Sequence, residues 1–205
     1  MTTNSSRVTI HMVASLDGFI ARKDGSTGWL ETGDRYEDGA ELTGEDIAAF
    51  LKSVGCYVMG SHTYETALDF EAGGFGWAYG DTPVFVLTSR ELQRARDSVQ
   101  FLSGDLAGLV NDRLRPNYAN IWVVGGGAVA GECVRLGLAD EVRVTIAPVL
   151  IGEVIPFFDR IDTDVALHLV EAKAYTSGMV ALRHEVRRRC PLGLGEQAGP
   201  GSRPG

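Results

Sequence analysis

Short β-branched runs recur along this chain, each bounded by turn-forming residues: VTIHMVA from Val8 to Ala14, CYVMG from Cys56 to Gly60, PVFVLTS from Pro83 to Ser89, IWVVGGG from Ile121 to Gly127, and EVRVTIAPVLIG from Glu141 to Gly152. Runs of this length suit strands buried on both faces. Helical segments fall between them. Thr43 with Asp46 three residues on forms a variant capping box, and Ile47, Phe50, Leu51 and Val54 share one face of the helix that follows, which Gly55 ends. Ser61 starts a short helix, Asp105 to Arg115 reads as helical up to Pro116, and AVAGECVRLG is a helix ending at Gly137. A short strand lies near Val99–Leu102. Leu167 to Ala174 and Val180 to Val186 read as an antiparallel pair around Thr176-Ser177-Gly178. Strands alternating with helices predict a three-layer α/β domain, with a mostly parallel central sheet and an antiparallel edge.

The 205 residues, 44% hydrophobic and 22% charged, suffice for one domain with a real core. We expect that domain over residues 1–188. From 189 the composition shifts to GLGEQAGPGSRPG, which reads as a flexible tail. Nineteen basic against 27 acidic residues leave a net charge of -8, which disfavours a nucleic-acid partner. No apolar run approaches the ~20 residues of a membrane helix, and MTTNSSRVTI is not a secretory signal. The three cysteines, Cys56, Cys133 and Cys190, form neither a disulfide framework nor a zinc site by themselves, so no metal is expected. A reducing cytoplasm is the expected location.

Four strand ends carry residues suited to chemistry. In VVGGGAVAGE, three glycines lead straight into a helix, whose free N–H groups and positive end favour a pyrophosphate. The run is not the dinucleotide fingerprint GxGxxG, and a bare tight turn is the competing reading. VMGSHTYE puts hydroxyl and imidazole groups at a helix start, where Ser61 or Thr63 is equally a simple cap. VLTSR offers two hydroxyls and a guanidinium at a strand end, where ligands of open α/β sheets gather. Asp17, in ASLDGFIA, sits where the first strand stops, although Asp-Gly is also a common turn. His11, inside the first strand, reads as a satisfied core or face residue. Cys56 and Cys133 read as small core residues. Phe70, Phe75, Trp77 and Tyr79 occupy a glycine-rich loop that could line a pocket for a planar molecule or fold onto the sheet.

In order, SLDGFIA, Gly28-Trp29, VMGSHTYE, VFVLTSR, WVVGGGAV and EVRVTIAPVLIG resemble the dihydrofolate reductase superfamily over Val8 to about Val186. The chain resembles most the reductase half of the bifunctional deaminase-reductase of riboflavin biosynthesis and its stand-alone relatives. The resemblance implies NADPH, hydride transfer, a cleft across the sheet and a homodimer. It places Val13 and Ile20 near the nicotinamide carboxamide. Gly60, Ser61, His62 and Thr63 fall on the pyrophosphate and adenosine side, Thr88, Ser89 and Arg90 at the 2′-phosphate, and Val124, Gly125, Gly126, Gly127, Ala128 and Val129 at a second phosphate turn. Ser61 stands where the family has an arginine, which removes one phosphate-binding charge. For substrate and catalysis the resemblance offers Asp17 with Trp29, or Asp46 supported by Thr145 as in the folate enzymes. Asp46 is equally an ordinary first-turn acid.

No stretch resembles the zinc motif of a deaminase. Of the two activities the resemblance therefore implies only the reductase: an NADPH-dependent reduction of a C=N or C=O carbon in a pterin-like or ribosylaminopyrimidine-type heterocycle. The rival expectation is a non-catalytic nucleotide- or pterin-binding protein on the same fold.

Overall fold

In the computed structural model we describe residues 6–152 and 155–187. The expected tail, the domain limit at 188 and Cys190 lie outside them. Strand β1 (Arg7–Ser15) runs through the middle of the sheet. Its alternation decides its surroundings: Val8, Ile10, Met12 and Ala14 are buried in one core, while Thr9, His11 and Val13 face the other side. Burying each large aliphatic side chain contributes about 1.5–3 kcal/mol. The strands β3 (Cys56–Gly60), β4 (Val84–Leu87), β5 (Val99–Leu102), β6 (Asn120–Val123) and β7 (Glu141–Ala147) all run parallel to β1. Strand β10 (Val180–Val186) is antiparallel to both β7 and β9 (Leu167–Ala174), giving the order β5-β4-β3-β6-β1-β7-β10-β9. The mostly parallel sheet with an antiparallel edge is the expected one.

The second core, on the other face, gathers Tyr57, Met59, Val84, Val86, Trp122 and Tyr64. Tyr64 comes from α2 (Ser61–Phe70). Helix α1 (Gly44–Ser53) starts at the capping box of Thr43 and Asp46. It buries only part of its apolar face: Val54 and Phe50 join the second core, while Ile47 is 45% and Leu51 41% exposed. Helix α3 (Leu106–Gly108) continues into a wider turn over Leu109–Leu114, which fits the expected helical stretch, and both pack on the first core with α4 (Gly127–Arg135). No helix among the described residues is long and apolar enough to cross a membrane.

Two details differ from the sequence reading. The run from Glu141 leaves the sheet after Ala147, not at Gly152, because Pro148 has no N–H for the ladder. The chain then returns as β8 (Ile155–Pro156), pairing with β2 (Phe19–Ala21), which follows the Asp17-Gly18 turn. These strands are too short for periodicity to announce.

Gly127 and Gly131, one turn apart on α4, give the helix a bare backbone face. A Cβ at Gly131 would overlap the Asp159 carbonyl oxygen, and one at Gly127 would lie 2.6 Å from that of Pro156. The segment after β8 is thereby held against α4, with Asp159 N–H donating to the Gly127 carbonyl at 3.0 Å. Glycine to alanine in a helix ordinarily stabilises by about 1 kcal/mol. Here the sign reverses. Gly131→Ala should lower the unfolding free energy in urea by about 1–3 kcal/mol, the usual range for overpacking against backbone, while Gly137→Ala, whose Cβ meets nothing within 4 Å, costs only the strain of its φ of 64°.

Candidate active site

Two cavities share Val13 of β1 as a wall residue. The first, about 590 Å³, runs along the carboxyl ends of β1, β6 and β3. Val13 and Ile20 line one end; Gly125, Gly126, Gly127 and Ala128 line the middle; His62, Thr63 and Thr66 of α2 line the far side. These come from four separate sequence runs, and the parallel register is what aligns their ends. Gly125 and Gly126 have φ of 61° and 67°, a region that favours glycine. Gly126 is the N-cap of α4, so the first N–H groups of that helix lack intrahelical acceptors. A side chain at Gly125 would collide with Thr63. This bare helix start beside a long cleft fits a pyrophosphate. Gly127 works differently from expectation: its missing Cβ makes room for Pro156 and not for a ligand.

Other expected cofactor residues stand back from this cavity. Gly60, Ser61, Val124 and Val129 are not among its walls. Thr88, Ser89 and Arg90 lie beyond α2, where Arg90 is paired with Glu65 of that helix. Trp29 is buried, with its indole N–H unpartnered, while its neighbours Thr27 and Leu30 reach the wall. Tyr79 also lines the cavity, so one residue of the aromatic loop reaches the cleft. Trp77 instead packs edge-on against Tyr64 with the Arg96 guanidinium 4.6 Å above its ring. Phe75 is 83% exposed.

The second cavity, about 410 Å³, opens between α1 and the face of β1, β7, β10 and β9. Ile47 and Phe50 of α1 wall it, which explains why that helix keeps apolar side chains uncovered. Val13 pairs with Thr145 across the sheet and His11 with Arg143, so all four point into it from adjoining strands. Asp46 and Thr145 therefore share one cavity, as the folate-type arrangement requires. Yet the Asp46 carboxylate is exposed and engaged by the Thr43 hydroxyl at 2.8 Å and backbone N–H at 3.1 Å. Those bonds hold it below the usual carboxylate range, so it is ionised at neutral pH.

Asp17 lines neither cavity. This departs from the expectation of a carboxylate facing the cleft. It accepts backbone N–H bonds from Gly152 at 2.9 Å and Ile151 at 3.2 Å, pinning the segment that follows β7 to the β1–β2 turn. Hydrogen bonding, from Ser15 and then from these N–H groups, holds its carboxyl below the usual range.

Sequence reasoning missed the charged floor of the second cavity. Arg143 and Arg183 line it, and both are gripped from behind by the buried Glu141, which also takes Arg7 at 2.6 Å and Arg183 at 2.9 Å. Burial alone would raise the Glu141 pKa; hydrogen bonds from Arg183 and Arg143 bring it below the usual value. The signal lay in EVRVT, where Glu141, Arg143 and Thr145 alternate on one face of an otherwise apolar strand.

His11, expected as a core or face residue, stacks edge-on against Trp122 and Phe50 with centroids 5.1 and 5.6 Å away. It also lines the second cavity. Burial, then the Arg143 charge, pushes its pKa from 6.5 down to about 4. The folded protein thus resists a proton that the unfolded chain takes below 6.5. Stability should fall as pH drops from 6.5 towards 4, by up to about 3 kcal/mol from this residue. Urea unfolding across that window should show the loss in the parent and a flatter profile in His11→Phe, which keeps the ring contacts.

The profile of the RibD C-terminal domain family matches residues 6–181. The uncharacterized protein YwjB of Bacillus subtilis strain 168 is 26% identical over 181 residues, covering 88% of this chain and 98% of that one. A putative riboflavin biosynthesis protein from Shewanella sp. PV-4 has a similar fold, with a TM-score of 0.74 at 22% identity, covering 89% of this chain and 99% of that one. The Enterococcus faecalis dihydrofolate reductase complexed with NADP(H) and RAB-propyl has a TM-score of 0.55 at 16% identity, covering 89% and 97%. With the match spanning nearly all the described residues, the chain belongs to the RibD C-terminal domain family.

Proposed function

We propose that this protein is an NADPH-dependent reductase of a small heterocycle, of pterin-like or ribosylaminopyrimidine type. The observation that carries this reading is that Val13 walls both cavities. A hydride must pass between carbons in near contact, so the nicotinamide and the acceptor have to share one wall. Val13 and Ile20 would hold the nicotinamide end, and the start of α4 with Gly125, Gly126 and Ala128 would hold the pyrophosphate. When bound, the dinucleotide supplies the hydride.

The chain's own part is binding and orientation. Ile47, Phe50 and Val13 offer apolar faces for a planar ring. Asp46 and Thr145 supply acceptor and hydroxyl groups for its polar edge, and Arg143 and Lys173 supply positive charge. Asp46, held ionised, orients a ring N–H or amino group; the proton for the reduced atom then comes from water admitted through the open mouth of the cavity. Asp17 acts as a positioning residue through Ile151 and Gly152.

A second copy of the chain is supported by the outer strand β9, whose far edge pairs with no other strand among the described residues and whose Leu167, Leu169 and Val170 are 44, 52 and 41% exposed. Light scattering at micromolar concentration should give twice the 22.0 kDa of one chain.

The direct test uses Ala128, which lines the cavity at the second position of α4. Ala128→Asp should keep or slightly raise stability, since an acid in the first turn gains about 0.3–1 kcal/mol from the helix dipole. The same charge should repel a pyrophosphate. Excess NADPH at 100 times its Kd should raise the parent's unfolding free energy by about 2.7 kcal/mol, and the variant's hardly at all. Loss of reduced-nicotinamide absorbance with a heterocycle panel should then follow binding. Binding without turnover on any member would favour the non-catalytic reading, and equal binding by parent and variant would displace the site.

A further inference from the structure

The Arg90 guanidinium, carried just past the end of β4, is held face to face by a carboxylate. Nη1 donates to Glu65 Oε2 at 2.9 Å and Nη2 to Oε1 at 2.6 Å. This two-pronged geometry is also how a guanidinium grips a phosphate. Both side chains remain partly in solvent, at 51 and 36% exposure, so the pair is open to competition.

The fold puts this pair outside the walls of the first cavity, on the β4 flank of α2, one residue contact away through His62. Gly60 is in register with Leu87, so α2 starts beside the segment carrying Thr88 to Arg90. At about 100° per residue, Thr63 and Glu65 project from opposite flanks of α2. Thr63 lies against Gly125, on the β6 side; Glu65 reaches Arg90, on the β4 side. His62 joins the two: it lines the cavity, and its Nδ1 is 3.7 Å from Glu65 Oε2. A dinucleotide whose pyrophosphate rests on α4 and whose chain crosses the start of α2 past His62 brings its adenosine ribose to the Glu65–Arg90 pair.

The two members of the pair want different riboses. A 2′-phosphate needs the guanidinium fork and is repelled by the carboxylate. A 2′-hydroxyl suits the carboxylate, the usual acidic partner of that group in dinucleotide sites. Ser61 adds no charge to favour the phosphate. We propose that Glu65 is a specificity-determining residue of this site, competing with the 2′-phosphate for Arg90 and thereby holding down the preference for NADPH over NADH. The inference rests on the cofactor reading above.

The test is the ratio of the two dissociation constants, measured by calorimetry for NADPH and NADH without substrate. The parent should bind both, with a modest preference for NADPH. Glu65→Gln keeps the shape, frees the fork and removes the repelling charge. It should raise the NADPH preference about three- to tenfold, each of these exposed effects being worth a few-fold, through tighter NADPH binding. Arg90→Gln should lower the preference and leave NADH nearly unchanged. Both variants should melt within about 2 °C of the parent, since exposed ion pairs hold little stability. An unchanged ratio in Glu65→Gln, with binding still abolished by Ala128→Asp, overturns the role of Glu65 and leaves the cofactor site standing. A parent that binds neither dinucleotide overturns both.

Discussion

The close contact between α4 and the segment after β8 is what makes a cleft out of this sheet. Gly127 and Gly131 leave no side chain between the helix and the backbone of Pro156 to Arg160. That segment carries Ile155, Pro156 and Asp159 into the wall of the first cavity, and β8 ties it to β2 on the far side. Phe157 N–H donating to the Gly18 carbonyl at 2.9 Å closes the same link at the β1–β2 turn. One helix thus does two jobs: its start faces the cleft, and its bare flank fixes the opposite wall. A larger residue at either glycine would separate these and widen the cavity.

The charged face of the antiparallel edge depends on a different constraint. A carboxylate as buried as Glu141 is tolerable only with its charge matched, and Arg7, Arg143 and Arg183 match it from three strands. Arg143 and Arg183 use Nε for this contact, which leaves their terminal nitrogens for the second cavity. Arg143 also lies 5.2 Å over the Trp122 ring. The same positive charge helps keep His11 neutral. The floor of the second cavity is therefore a preassembled electrostatic unit and not a set of loose surface charges.

The sheet was legible because its strands are apolar runs ended by glycine, proline or serine, and burial on both faces leaves few other fates for VTIHMVA or IWVVGG. Half of the first cavity was legible for a related reason: ligands gather at strand ends, and two of those ends are written as VGGG and GSHT. What local sequence could not show was which residues the strand order brings together. Asp159 reaches the cleft from a loop with no periodic signal, and of the four aromatics in the glycine-rich loop nothing local singled out Tyr79 as the one that lines it. Thr145 and Asp46 share a cavity only through the β1–β7 register and the position of α1. Asp17 stood in a conspicuous motif, but its hydrogen bonds go to a loop more than a hundred residues away. Arg90 was expected to be free for a ligand; its partner, 25 residues earlier, has no sequence marker.

The proposed site puts the nicotinamide beside Val13, the residue that walls both cavities. A crystal structure of the protein with NADP⁺ tests it most directly. The nicotinamide ring is expected against Val13 and Ile20, one face turned towards Thr145 and Phe50, with the pyrophosphate at the N–H groups of Gly127 and Ala128. A dinucleotide bound with its nicotinamide away from Val13, or with its pyrophosphate away from the start of α4, would contradict it.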